Sequence, residues 1–253
     1  MKYSSQPLSR TIYTLLIIVA LSACNKNDSS EKVPQDATKP AAPSLADLGN
    51  KAAVTQAVNT RLSKGDSNTP LASYRKIDSG NQVMFLYFGL LNLPIDYEQV
   101  VEAYSNEYRS TSDSFKKKDI LTALKPRIDQ EVTQAKTSRY ILLESTVASP
   151  LERYDFTKKS FAVKGFSDNE SYTYYYDNSQ YTLAKTNATQ FANLAVADET
   201  KARAIESYLS KYTNLRTQVY VFAQDADPSN RRVKLEVMKY RLLSPSGEVL
   251  AEQ

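Results

Sequence analysis

The chain has 253 residues, a formal net charge of +4, one cysteine and no histidine. The absence of histidine excludes Ser-His-Asp and Cys-His catalytic centres, histidine acid–base catalysis and histidine-ligated metal sites. Its 32 basic and 28 acidic residues nearly balance, which gives no general electrostatic reason to bind nucleic acid. Glycine is scarce, and neither a G-x-G-x-x-G nor a Walker sequence occurs. The composition therefore predicts no cofactor, no metal and no nucleic-acid partner.

The first residues have the pattern of an export signal. Lys2 and Arg10 precede a short apolar run from Ile12 to Leu21, and the small residues Ser22 and Ala23 follow it. A basic start, a short apolar core and a small-residue exit are typical of a secretory signal peptide. The run is too short to cross a bilayer, which takes about 20 apolar residues. A short membrane anchor or a buried first helix is the alternative interpretation.

The exit sequence, Leu21-Ser22-Ala23-Cys24, resembles the lipobox of bacterial lipoproteins. That resemblance implies diacylglyceryl transfer to the Cys24 sulfur, cleavage before Cys24 and acylation of the new amino group. Two or more acyl chains anchor a protein stably to a membrane. Many Gram-negative lipoproteins of the inner membrane carry Asp at the next position, so Asn25 favours the periplasmic face of the outer membrane. The inner membrane and the cell surface are the alternative locations.

The mature chain is predicted to begin with a lipidated, disordered tether over residues 24–43. This stretch is polar, contains three prolines and lacks aromatic residues, so it cannot bury enough apolar surface to offset its ordering entropy. Residues 1–23 are then the signal peptide, 44–137 a helical part, and 138–253 a mainly antiparallel β part. We expect the last two parts to pack as one domain.

Apolar residues at helical spacing predict several helices before residue 138. The first follows a possible cap at Ser44 and continues to Leu62. Residues 83–91 are apolar on nearly all sides, which is typical of a buried central helix. After Pro94, an Asp96 cap predicts a helix to about Arg109. A longer helical run over 115–135 contains Pro126, which predicts a kink or two abutting helices.

From Tyr140 the pattern changes to that of strands. The predicted strands are 139–147, 160–166, 171–177, 180–186, 191–196, 218–223 and 233–237. A helix is predicted over 198–209, with Ala202, Ile205 and Leu209 facing inward. This order predicts an α+β fold, in which an N-terminal helical segment is followed by an antiparallel sheet with one further helix.

Three stretches follow one another along the chain: Phe115 with Lys118-Asp119-Ile120-Leu121 and Leu124-Lys125-Pro126, then Tyr140-Ile141-Leu142-Leu143, and then Tyr154-Asp155-Phe156 with Phe161. This succession resembles an uncharacterised domain family of bacterial exported proteins, in a match that would span roughly residues 70–250. The resemblance implies no activity and assigns no catalytic residue.

An enzyme without histidine could use a serine activated by a lysine, as penicillin-recognising enzymes do in the pattern Ser-x-x-Lys. Ser114-Phe115-Lys116-Lys117 fits, and Ser167-Asp168-Asn169 matches the second element of that pattern. The third element, Lys-Thr-Gly, would fall at Lys185-Thr186-Asn187, where Asn replaces the glycine. Ser-x-x-Lys also occurs at Ser29 and Ser73, about as often as chance allows.

Two carboxylates held about 5–9.5 Å apart in a cleft could instead support glycosidase chemistry. Candidate acids occur around the strands at Asp155, Asp168, Glu170 and Asp177. These positions look like turns, where Asp is common because it bonds to the nearby backbone. Exposed turn acids are therefore the favoured interpretation.

The chain has 18 tyrosines and no tryptophan. In a strand, Tyr172, Tyr174 and Tyr176 would share one face, and Tyr181 could return beside them across a hairpin. Packing across a half-buried sheet is one interpretation. The other is a binding face, because tyrosine offers an apolar ring and a hydroxyl at low entropic cost.

The sequence thus predicts a lipid-anchored protein of the bacterial cell envelope with a non-catalytic binding or scaffolding role. Its expected partners are membrane lipid, through acylated Cys24, and another envelope protein or a glycan. The alternative is an envelope hydrolase or acyl-transfer enzyme that acts on cell-wall material through Ser114 and Lys117 or a carboxylate pair.

Overall fold

The computed structural model describes residues 62–91, 93–169 and 171–253. The predicted signal peptide, Cys24, the tether and the helix expected from Ser44 lie outside the described residues, apart from Leu62 at the end of that helix.

The described chain contains both helices and strands, with four helices in succession after β1 and mostly strands after them, which confirms an α+β fold. The described helices are α1 (Gly80–Leu91), α2 (Tyr97–Tyr104), α3 (Asn106–Ser110), α4 (Ser114–Thr137) and α5 (Glu199–Ser210). The described strands are β1 (Arg75–Ile77), β2 (Tyr140–Val147), β3 (Leu151–Asp155), β4 (Ser160–Val163), β5 (Tyr172–Thr173), β6 (Thr182–Lys185), β7 (Asn193–Ala195), β8 (Leu215–Asp227), β9 (Arg232–Leu243) and β10 (Val249–Glu252). Among the described helices, none is long and apolar enough to cross a membrane.

The main sheet has seven strands in the order β1-β2-β8-β9-β6-β5, with β10 paired to β9. It is mixed and not purely antiparallel as predicted, because β1 runs parallel to β2 and β6 runs parallel to β9. Parallel neighbours need a long crossover connection, which helices α1 to α4 supply between β1 and β2. The helical part is therefore preceded by a strand and is not the first element of the described chain.

A second sheet, β3-β4-β7, is antiparallel. Strand β3 was missed by the sequence prediction. Helix α5 packs against β3 and buries the three residues predicted to face inward, Ala202, Ile205 and Leu209.

Helix α1 is the central helix that the sequence predicts. Val83, Met84 and Leu86 are at most 1% exposed, and each such burial is worth about 1.5–3 kcal/mol. The helix packs against α4 and against strands β8 and β9. Gly89 lets α4 come close, since a Cβ there would lie 2.9 Å from the Lys136 nitrogen and 3.0 Å from the Val132 oxygen.

Side-chain caps explain where helices α2 and α3 begin. Asp96 caps α2 by accepting a hydrogen bond from the Gln99 amide at 3.1 Å, as predicted. Ser105 then interrupts the helix predicted to continue to Arg109, because its hydroxyl accepts from the Tyr108 amide at 3.2 Å and starts α3. Helix α4 has 24 residues and continues through Pro126, so the alternative of two abutting helices is wrong.

Candidate functional site

Tyr172, Tyr174 and Tyr176 are exposed aromatic residues of one short segment, here called the tyrosine surface. Their exposed fractions are 56%, 44% and 94%. The segment is not the long strand that was predicted, since β5 ends at Thr173 and a 3-10 turn begins at Tyr176. The three rings nevertheless all lie at the surface.

Tyr181 does not belong to the tyrosine surface. It is only 1% exposed, and its ring centroid lies 5.2 Å from that of Tyr87 and 5.9 Å from that of Phe88, both on α1. The hairpin register pairs Tyr172 with Ala184, so Tyr181 is not opposite the other tyrosines. Its ring is buried against the apolar central helix, which corrects its assignment to a binding face.

Tyr175 fixes the middle of the segment. Its hydroxyl donates to the Ile77 carbonyl of β1 at 2.8 Å. Burial, with the nearby carboxylates of Asp78 and Asp177, raises the pKa of Tyr175 to about 12. The hydroxyl therefore stays protonated and keeps this hydrogen bond at any ordinary pH.

Asp177 joins the same segment to the start of α1. Its carboxylate accepts from the Gly80 amide at 2.8 Å, the Ser79 hydroxyl at 2.7 Å and the Asn81 amide at 3.4 Å. Burial alone would raise the pKa of Asp177, but the hydrogen bonds from Gly80, Ser79 and Asn81 lower it overall. A negative charge is also favourable at a helix N-terminus.

The turn and the helix are in close contact here. A Cβ at Gly80 would lie 2.5 Å from the Asn178 carbonyl oxygen. The Asn178 side-chain amide also donates to the Asn81 side chain at 3.1 Å. The base of the tyrosine surface is therefore fixed to the central helix at several points.

Two of the exposed rings contact each other, and the third lies beside an arginine. Tyr174 and Tyr176 meet edge to face with centroids 5.6 Å apart. The Arg232 guanidinium lies 5.1 Å from the centroid of the Tyr172 ring. Tyrosine and arginine are among the residue types that contribute most of the binding energy in protein interfaces. The arrangement suits binding.

The residues of the Ser-x-x-Lys prediction have other partners. Ser114 is the exposed first residue of α4, and the Lys117 ammonium lies 4.8 Å from the centroid of the Tyr108 ring. Lys185 is buried in β6 and donates to the Gly165 carbonyl at 3.3 Å. The acyl-transfer alternative stays a prediction.

The candidate acids act as turn residues where the structure describes them. Asp155 accepts from the amides of Thr157 and Lys158 at 2.9 and 3.0 Å. Asp168 accepts from the Ser171 amide at 2.6 Å, and Asp177 caps α1 as described above. Glu170 lies outside the described residues.

Sequence reasoning missed an open pocket of about 450 Å³ beside the same segment. Thr173 and Tyr175, which alternate with the exposed tyrosines, line it together with Lys185 and Tyr240. Lys185 was considered only as part of the Ser/Lys pattern, and no local signal marked its burial.

A scan of the chain against protein-family models found no matching family, and searches of the curated proteins and of the solved structures found no match either.

Proposed function

We propose that this protein is a lipid-anchored binding protein of the bacterial cell envelope, and that the tyrosine surface captures another envelope protein. The observation that carries the proposal is the exposure of Tyr172, Tyr174 and Tyr176 on a segment fixed to α1. Rings that remain so exposed contribute little to the stability of the fold. A partner that buries them gains binding free energy, and it does not pay the entropic cost of ordering their backbone, because the segment is already fixed.

The anchor in this proposal is acylated Cys24. A flexible tether of about 20 residues has a root-mean-square reach of about 25 Å, which keeps the folded part close to the membrane. The periplasmic face of the outer membrane is the favoured location, because Asn25 follows the cysteine.

A protein partner fits this surface better than a glycan. Arg232 stacks on Tyr172, and tyrosine and arginine are the residue types that dominate binding energy between proteins. Their charge and hydrogen-bonding groups suit an acidic or aromatic protein surface.

The test is in-cell crosslinking of the lipidated protein from a photoreactive residue placed at Tyr176. We expect a discrete protein adduct, which disappears when Tyr172 and Tyr174 are changed to Ser. A photoreactive residue at Tyr212, which is 74% exposed elsewhere, should not give this adduct. Tyr212→Ser is the matched control variant and should leave the Tyr176 adduct unchanged.

Two results would contradict the proposal. The first is an unchanged adduct in the Tyr172→Ser, Tyr174→Ser variant, with a large fall in Tm, because the rings would then serve packing. The second is an adduct with cell-wall glycan and none with protein, which would replace the protein partner with a carbohydrate.

A further inference from the structure

The pocket beside the tyrosine surface has the build of a ligand site. Its volume is about 450 Å³, within the range of about 300–1,000 Å³ usual for small-molecule sites. It is lined by residues of β2, β5, β6, β8 and β9 of the main sheet and by residues 163–166. Its apolar lining residues are Leu143, Val147, Val163, Phe166 and Val219.

Lys185 places an amine in this apolar wall. The residue is only 8% exposed, and its Nζ lies 4.8 Å from the centroid of the Phe166 ring and 3.3 Å from the Gly165 carbonyl oxygen. Burial lowers the pKa of Lys185, and the charge of Asp168 acts in the opposite direction. An ammonium carries three N–H donors, so the bond to Gly165 leaves donors for a bound anion.

Tyr240 adds a second donor. It is 1% exposed, and within the described part of the chain its buried hydroxyl has no hydrogen-bond partner. Its ring meets Phe166 edge to face at 5.6 Å, so Tyr240 and Lys185 pack against the same ring. Folded proteins rarely leave a buried hydroxyl unpaired, which indicates that a partner for Tyr240 comes from outside the described residues.

Several other polar groups of the pocket lining have partners within the chain. Glu144 accepts from Arg216 at 2.7 Å and from Gln218 at 3.1 Å, and it pairs with Lys76 at 3.2 Å. The hydroxyls of Ser145 and Thr217 bond to each other at 2.6 Å. Lys185 and Tyr240 are thus two buried donors of the pocket lining that a ligand could use, and the Lys185 donor is cationic.

We propose that the pocket binds a small carboxylic acid with an apolar body. The carboxylate accepts hydrogen bonds from the Lys185 ammonium and the Tyr240 hydroxyl. The apolar body contacts Leu143, Val163 and Phe166. A charged acceptor between two donors forms stronger hydrogen bonds than a neutral one, so the site selects the acid over its uncharged analogues.

Calorimetric titration of the full chain in nanodiscs, with empty nanodiscs subtracted, tests this inference. The probes are hexanoate and hexanamide, which share shape and chain length and differ in charge. We expect hexanoate to bind at least tenfold more tightly than hexanamide. Equal affinities for the two probes, or no binding of hexanoate, would overturn the proposal.

Two variants test whether Lys185 and Tyr240 donate the hydrogen bonds to the bound carboxylate. Lys185→Gln should weaken hexanoate binding at least tenfold, whereas Lys158→Gln, at an exposed lysine of the β3–β4 turn, should not change it. Tyr240→Phe should weaken binding several-fold without lowering Tm, because it removes an unpaired buried hydroxyl. Wild-type affinity in both pocket variants, each shown to be folded by its Tm, would refute the site.

Discussion

The carboxylate of Asp177 accepts a hydrogen bond from the backbone N–H of Gly80 at 2.8 Å. One residue belongs to the turn that carries Tyr176, and the other is the first residue of the buried helix α1. The geometry of the tyrosine surface therefore depends on the most buried helix of the described chain. Changes beneath the surface should affect binding even where no exposed tyrosine is altered.

Asp177→Ala should weaken capture of the partner at the tyrosine surface. Loss of this cap should cost about 1 kcal/mol of unfolding free energy, typical of a capping residue, and should free the turn. Asp113→Ala removes the cap of α4, where Asp113 accepts from Phe115 and Lys116 at 2.8 and 3.2 Å. The control should lose similar stability in urea unfolding and keep the crosslinked adduct. Equal adduct loss in both variants would mean that stability alone governs binding.

Gly89→Ala should destabilise the protein although alanine favours helices by about 1 kcal/mol over glycine. The added methyl would meet backbone atoms of Val132 and Lys136, so the two helices must separate. We expect a net loss of about 1–3 kcal/mol in urea unfolding, the usual cost of overpacking. An increase in Tm would show that α4 adapts without cost.

Glu144 should make stability depend on pH in the acid range. Hydrogen bonds from Gln218 and Arg216 lower its pKa to about 2, from an ordinary value of 4.5. Because the folded-state pKa is the lower one, this contribution is complete above about pH 4.5 and is lost as pH falls towards 2.

Glu144→Gln should therefore reduce stability at pH 7 by roughly 2 kcal/mol, and the difference from wild type should shrink towards pH 2. Urea unfolding between pH 2 and pH 7 measures it. Glu152→Gln, at a carboxylate 64% exposed and 3.7 Å from Lys164, should show little change at any pH. A pH-independent loss in Glu144→Gln would assign the effect to packing.

Substitution of a buried tyrosine and of an exposed tyrosine should change the free energy of unfolding by very different amounts. Tyr181→Ala removes a ring packed on α1 and should cost about 3–5 kcal/mol. Tyr176→Ala removes a ring that is 94% exposed and should stay within about 0.5 kcal/mol of wild type. The reverse order would contradict the assignment of Tyr181 to the core.

Cys24→Ala should prevent lipidation, because it removes the sulfur that receives the diacylglyceryl group in the proposed anchor. Labelled palmitate should enter the wild-type chain and not this variant. Ser22→Gly, which keeps a small residue before the cysteine, is the control and should still be labelled. Processing of Cys24→Ala with stable membrane binding after a carbonate wash would refute the lipoprotein proposal.

Elements with a strong local pattern were predictable from the sequence. The uniformly apolar run of α1, the strand pattern of β8 and β9, and the periodic inward face of α5 all form where the hydrophobic pattern places them. Strands β1 and β3 were missed because they are short and charged, and their pairing comes from distant partners.

The candidate site was predictable only in part. Tyr172, Tyr174 and Tyr176 are all exposed, but the strand whose alternation predicted a shared face ends at Thr173. The burial of Tyr181 depends on its contact with α1, which no local pattern reveals. Lys185 and Tyr240 each pack against Phe166, and three residues so far apart in sequence carry no common motif.

The parallel pairing of β1 with β2 also bears on how the chain folds. Arg75 pairs with Ile141, so this edge of the sheet forms only after the whole helical stretch has been looped out and brought back. Closing such a loop costs entropy before any contact compensates for it, and chains rich in distant contacts fold slowly. The helices should therefore form early, and the joining of β1 to β2 should be among the slow steps of folding.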